Sequence, residues 1–133
     1  LSEYSTFLFY EKNPQYGLNL ETLIEDAVAG YNLYLEVFNA ININVNREMN
    51  LPVNNYASEY EYTYMVYVKG AIMFNEISKT IGENAFLNGL KKVYKQYKFS
   101  KINAENLAKA FKSSNKVQAI LNRYITGQSV YDL

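Results

Sequence analysis

The stretch MVYVKGAIMF, residues 65–74, sets a phenol, an ammonium and a glycine inside an otherwise apolar run. Tyr67 is the residue there that could do chemistry. A phenol donates a strong hydrogen bond and stays protonated at neutral pH, so a rigid helix can aim it at a developing negative charge. Packing alone is the competing account, since Tyr67 is one of 14 tyrosines. Tyr56, Tyr60, Tyr62 and Tyr64 line the approach to it and either border a cleft or pack beneath a loop. Lys69 is expected to project towards solvent or a helix-end carboxylate, with no chemistry assigned to it.

What the chain lacks narrows the chemistry further. It has no histidine and no cysteine. That excludes a Ser-His-Asp or Cys-His nucleophilic site, a Cys-based zinc site and a disulfide frame. A metal could be held only by carboxylates, carbonyls and water, a set suited to calcium or magnesium. Asp26 and Asp132 are the two aspartates, and no Asp-rich calcium loop is present. No metal site is therefore expected in these 133 residues.

The elements that must hold Tyr67 read as helices. Apolar residues make up 49% of the chain, enough for a core, while 2 prolines and 6 glycines are too few punctuators for a β-sandwich or barrel. LSEYSTFLFYEK opens as though already inside a helix, without a cap, and NPQYG breaks it. Asn19 is a candidate N-cap. From there Leu20, Leu23, Ile24, Ala27, Tyr31, Tyr34, Leu35 and Phe38 mark one face of a long helix ending near Ala40. Residues 41–58, rich in Asn and carrying Pro52, form the one long irregular connection. Residues 60–81 make a helix apolar around much of its circumference, hence central, with Gly82 just past its end. The next helix is expected to bury Phe86, Leu90, Val93, Tyr94 and Tyr97, with its lysines outside. Asn103 is a second candidate cap, with Ile102 placed to staple Leu107. A last helix covers about 116–126, stopped by Gly127, and 128–133 is a tail. The expected architecture is all-α, five to six helices in a single domain over residues 1–133.

Charge is uneven although it sums to zero. Residues 1–63 hold nine acids and two bases, and residues 64–133 hold four acids and eleven bases. Solvated helix faces account for this better than a nucleic-acid surface, because no arginine cluster is present to grip phosphates. No nucleic-acid partner is expected. No apolar stretch approaches the ~20 residues that span a bilayer, and no signal peptide is evident. Both absences leave the compartment open, with a slight lean to the cytoplasm.

Three pieces in order, with consistent gaps, resemble the helical part of the catalytic domain of M1 zinc aminopeptidases, the gluzincin family. Val66-Tyr67-Val68-Lys69-Gly70-Ala71 is similar to that family's VYxKGA. Ile81-Gly82 with Phe86, Gly89, Leu90 and Tyr94 is similar to its IGxxxFxxGLxxY helix. Phe99, Ala104, Asn106, Leu107 and Phe111 follow its F…A…(D/N)L…F segment. LSEYSTFLFYEK further resembles the helix that follows the family's third zinc ligand. On that alignment the ligand glutamate lies two residues before Leu1. Glu3 is then not the ligand, but sits one turn along the same helix face.

The resemblance implies a helical subdomain of a thermolysin-like fold. It also implies that Tyr67 donates its hydroxyl to the oxyanion of the tetrahedral intermediate. Tyr64, Tyr62 and Glu3 are then candidates to border the substrate cleft. The same resemblance implies a zinc held by an HExxH helix and the downstream glutamate, and a GxMEN loop for the substrate's amino terminus. None of these lies in the chain. The expectation is an enzyme fragment, inactive alone. Its partners would be a peptide substrate and the missing zinc-binding half, with non-physiological self-association through an exposed apolar patch. A non-catalytic helical interaction module is the alternative, marked by polar helix faces all round and a capped first helix.

Overall fold

The computed structural model describes residues 1–127; the tail expected over 128–133 lies outside the described residues. Among the described residues there are six helices and no strand. They are α1 (Ser2–Lys12), α2 (Leu20–Ala40), α3 (residues 59–81), α4 (Glu83–Tyr97), α5 (Ala104–Lys109) and α6 (Ser114–Ile125). The all-α expectation holds.

Local chemistry sets most boundaries. Asn19 Oδ1 accepts the Thr22 N–H at 3.0 Å, and Asn103 Oδ1 accepts the Asn106 N–H at 2.8 Å, so both candidate caps act as such. The freed Leu20 N–H at the head of α2 is taken by Glu11 Oε2 at 2.8 Å, which ties α1 to α2. Gly82 ends α3 at φ 87°, a conformation that residues with a Cβ rarely adopt. Ser58 Oγ caps the Glu61 N–H at 3.1 Å, while Glu61 Oε2 reaches back to the Ala57 N–H at 2.5 Å. This reciprocal cap, legible in the SEYE of residues 58–61, starts α3 at Glu59, one residue earlier than its periodicity indicates.

α3 is the hub, in contact with α1, α2, α4 and α6. Met65, Ala71, Ile72 and Ile77 along it are fully buried. Each large apolar side chain taken out of water contributes about 1.5–3 kcal/mol. Around it Tyr4 of α1 meets Phe86 of α4 edge-on at 5.6 Å, and Phe86 stacks on Phe111 at 5.8 Å. Gly89 permits that stack. A Cβ at position 89 would fall far inside contact distance of the Phe111 ring.

Two expectations fail here. Tyr94 is 68% exposed and Tyr97 is only half-buried. The buried residues of α4 are Phe86 and Gly89, both in its first half. The apolar stripe of α4 continues past the half that is buried. Ile102 also stays exposed. The 41–58 connection, conversely, is no free spacer. Val45 and Tyr56 are buried, a short 3₁₀ turn covers Val53–Asn55, and the Met49 N–H donates to the Ile125 carbonyl at 3.2 Å. Residues 44–49 form a strap over the end of α6.

Candidate active-site face around Tyr67

α3 is not uniform. Its first turn, Glu59–Tyr62, is α-helical; Thr63–Val68 is π-helical; Lys69–Ile81 is α-helical again. π-Helical turns inside α-helices are rare and concentrate at functional sites, because one extra residue re-aims the side chains around it. Tyr67 lies in this segment. Met65 and Lys69 on either side of it are fully buried, whereas Tyr67 is 39% exposed. The local geometry thus turns two neighbours into the core and the phenol outward.

The other tyrosines separate by role. Tyr62 meets the Tyr67 ring edge-on, centroids 5.6 Å apart with planes at 80°. Tyr56 meets Tyr62 in the same way at 5.3 Å and donates its hydroxyl to the Glu48 carbonyl at 3.5 Å. Tyr56, Tyr62 and Tyr67 therefore form a row running from beneath the loop to the surface. The Tyr62 phenol is pushed above its ordinary value, chiefly by the negative charge that Tyr67 would carry if ionised. Burial raises Tyr56 likewise. Tyr64 points elsewhere: it stacks face to face on Tyr34 of α2 at 4.4 Å, with planes 13° apart. Tyr60 is 74% exposed. Glu3 is half-buried on α1, and among the described residues no hydrogen bond or ion pair joins it to any of these tyrosines. The structure thus brings the Tyr62 and Tyr67 rings together and sets the Tyr64 ring against α2 instead.

Lys69 corrects the sequence reading. It is fully buried, and its Nζ donates to the Arg47 carbonyl at 2.5 Å and to the Tyr124 carbonyl at 3.1 Å. Burial, aided by the Arg47 charge, pushes its ammonium down to about 8. No local pattern announces this, because the two acceptors lie 22 and 55 residues away in sequence. A second polar group, only part-buried, sits two turns along the same face of the helix. Glu76 pairs with the Arg123 guanidinium through Oε1 and accepts the Tyr124 hydroxyl at 2.7 Å through Oε2.

Among the described residues no group of three or more acidic, histidine or cysteine side chains could hold a metal ion. A zinc of the gluzincin kind does not fit the donors of this chain. No helix among the described residues is long and apolar enough to cross a membrane.

No curated protein and no solved structure matches the chain. The model of the peptidase family M1 domain matches residues 31–124, a span that takes in Tyr62, Tyr64 and Tyr67 and leaves out Glu3. Members of that family are peptidases, hydrolases of the peptide bond. With the match covering well over half its length, from within α2 to the last turn of α6, the chain belongs to peptidase family M1.

Proposed function

We propose that the chain is the helical part of a zinc-dependent M1 aminopeptidase catalytic domain, in which Tyr67 stabilises the oxyanion formed as an N-terminal peptide bond is hydrolysed. The observation that carries this reading is the outward-turned Tyr67 phenol on a π-helical segment of an otherwise buried helix, inside the span matched to the family. A fixed donor aimed at the place where negative charge develops needs no reorganisation during the reaction. Tyr62 steadies the ring from its edge. The metal and the general base belong to residues outside this chain, so the chain alone is expected to be inactive. Residues 1–133 act as one domain in this reading and dock against the zinc-binding half, with a peptide as substrate.

The test is Tyr67→Phe in a protein that contains this chain together with an HExxH segment, assayed with an aminoacyl anilide. Loss of one oxyanion donor lowers kcat by roughly 10²–10³-fold, and KM stays near its starting value because the bond forms only in the transition state. An unchanged kcat would remove Tyr67 from the reaction.

A non-catalytic interaction module is the second reading. It would show polar helix faces all round, whereas Leu33 and Val37 on α2 and Ile41 just past its end, spaced four apart, are 61%, 50% and 58% exposed and form an apolar stripe. A second copy of the chain would cover it, without biological meaning. The stripe therefore supports the fragment reading over the module, and the Tyr67→Phe assay tests it.

A further inference from the structure

We propose that Lys69 is a positioning residue for Tyr67. Its amine latches the 44–49 strap and the end of α6 onto the point where π-helix gives way to α-helix, and so fixes the direction in which Tyr67 leaves α3. The proposal rests on the reading of Tyr67 as a hydrogen-bond donor, but it can be tested without reference to catalysis.

Lys69 closes the irregular segment in two ways. Its backbone N–H donates to the Tyr64 carbonyl, five residues back, which is the last bond of the π-helical stretch. Its side chain holds two carbonyls from elements distant in sequence. Were the segment to relax to α-helix, the same N–H would turn to the Met65 carbonyl. Everything before it would then rotate by about 100°, the angle of one residue. Tyr67 would no longer face outward beside Tyr62. Such relaxation is favoured locally, since π-turns persist only where their surroundings hold them. The latch supplies that hold, because Lys69 cannot turn without taking its buried amine away from the Arg47 and Tyr124 carbonyls, the two acceptors that satisfy it in the interior.

The acceptors suit the task. The Tyr124 carbonyl is in the last turn of α6, where it also accepts the Gly127 N–H at 3.3 Å and where the helix dipole favours a cation. The Arg47 backbone lies against Gly127, so a Cβ at position 127 would come within 3.0 Å of the Arg47 carbonyl carbon. The Met49–Ile125 bond closes the same corner. Burial and the neighbouring Arg47 charge make deprotonation easier, yet a neutral amine retains two N–H donors for the two carbonyls. The latch therefore does not depend on the charge.

The experiment is fluorine NMR of the chain labelled with 3-fluorotyrosine, the Tyr67 resonance being assigned by its loss in Tyr67→Phe. In Lys69→Met, which keeps the length of the side chain and removes its donors, the Tyr67 and Tyr62 resonances are expected to move by more than their linewidth. The exposed Tyr16 and Tyr94 resonances stay in place. A Tyr67 resonance that does not move overturns the proposal. So does a displacement of all the tyrosines together, which makes Lys69 a general support of the core. Where Lys69→Met does not fold, Met49→Ala loosens the strap with Lys69 intact; it must move the same two resonances, and no movement again overturns the latch. Activity lost or kept in Tyr67→Phe bears on the role of Tyr67 alone, so failure of that reading is distinguishable from failure of this one.

Discussion

The two halves of α3 share an axis and obey different rules. From Lys69 to Ser78 the residues are buried with the single exception of Glu76, and the polar ones among them that carry a charge have named acceptors or partners. From Glu59 to Val68 the helix is rich in tyrosine, π-helical over six residues and only intermittently buried. The C-terminal half is specified by what surrounds it. The N-terminal half holds its outward phenol against the local preference for an α-helix, and it borrows that hold from the strap and from α6. A site of this kind sits beside the most rigid part of the molecule, not within it.

The largest stability effect should separate the halves. Ile77→Ala removes a fully buried side chain and is expected to cost about 2–5 kcal/mol, whereas Tyr67→Phe should stay within about 0.5 kcal/mol. Urea unfolding of both variants checks this, and equal costs would erase the contrast. Next comes the polar wall of the buried half. Glu76→Gln takes the charged partner from Arg123 and weakens the acceptor for Tyr124, at a cost of about 1–3 kcal/mol. Tyr124→Phe removes one of those bonds and should cost about 1 kcal/mol; if the two variants are equally stable, Arg123 gains nothing from the pair. A further effect is one of pH. The Lys69 amine titrates near 8 when folded and near its ordinary, higher value when unfolded. Above pH 8 the unfolded chain therefore holds a proton that the folded chain has released, and stability from this residue rises until the unfolded amine also titrates. Arg47 from the strap faces this amine, the Glu76–Arg123 pair lies two turns along the same face of α3, and Tyr31 of α2 senses Arg47 in turn. Relative to Lys69→Met, the parent chain should gain urea resistance between pH 7.5 and 9.5. A relative loss would mean that its carbonyl bonds outweigh burial.

Much of the fold was legible because it is written in short-range chemistry. Asn19 and Asn103 are caps by type and place, Gly82 ends a helix by its freedom at positive φ, and the all-round apolar run of α3 implied its central position. The errors share one cause. Tyr94 has the right spacing for a core residue, but spacing cannot show which half of a helix the rest of the chain covers. Lys69 has the wrong polarity for a core residue, but polarity cannot show two carbonyls arriving from elsewhere in the chain. The candidate site was legible as Tyr67 and, beside it, Tyr62. The π-helical register that turns Tyr67 outward depends on backbone bonds between residues five apart, a pattern that side-chain periodicity does not encode.

The contact between Gly89 and the Phe111 ring has a genetic consequence. Every single-base change in a glycine codon that alters the residue introduces a side chain or a stop, and any side chain at position 89 strikes that ring. Position 89 therefore has no neutral first step. Change there must wait for a smaller residue at 111, and the two positions should drift as a pair or not at all.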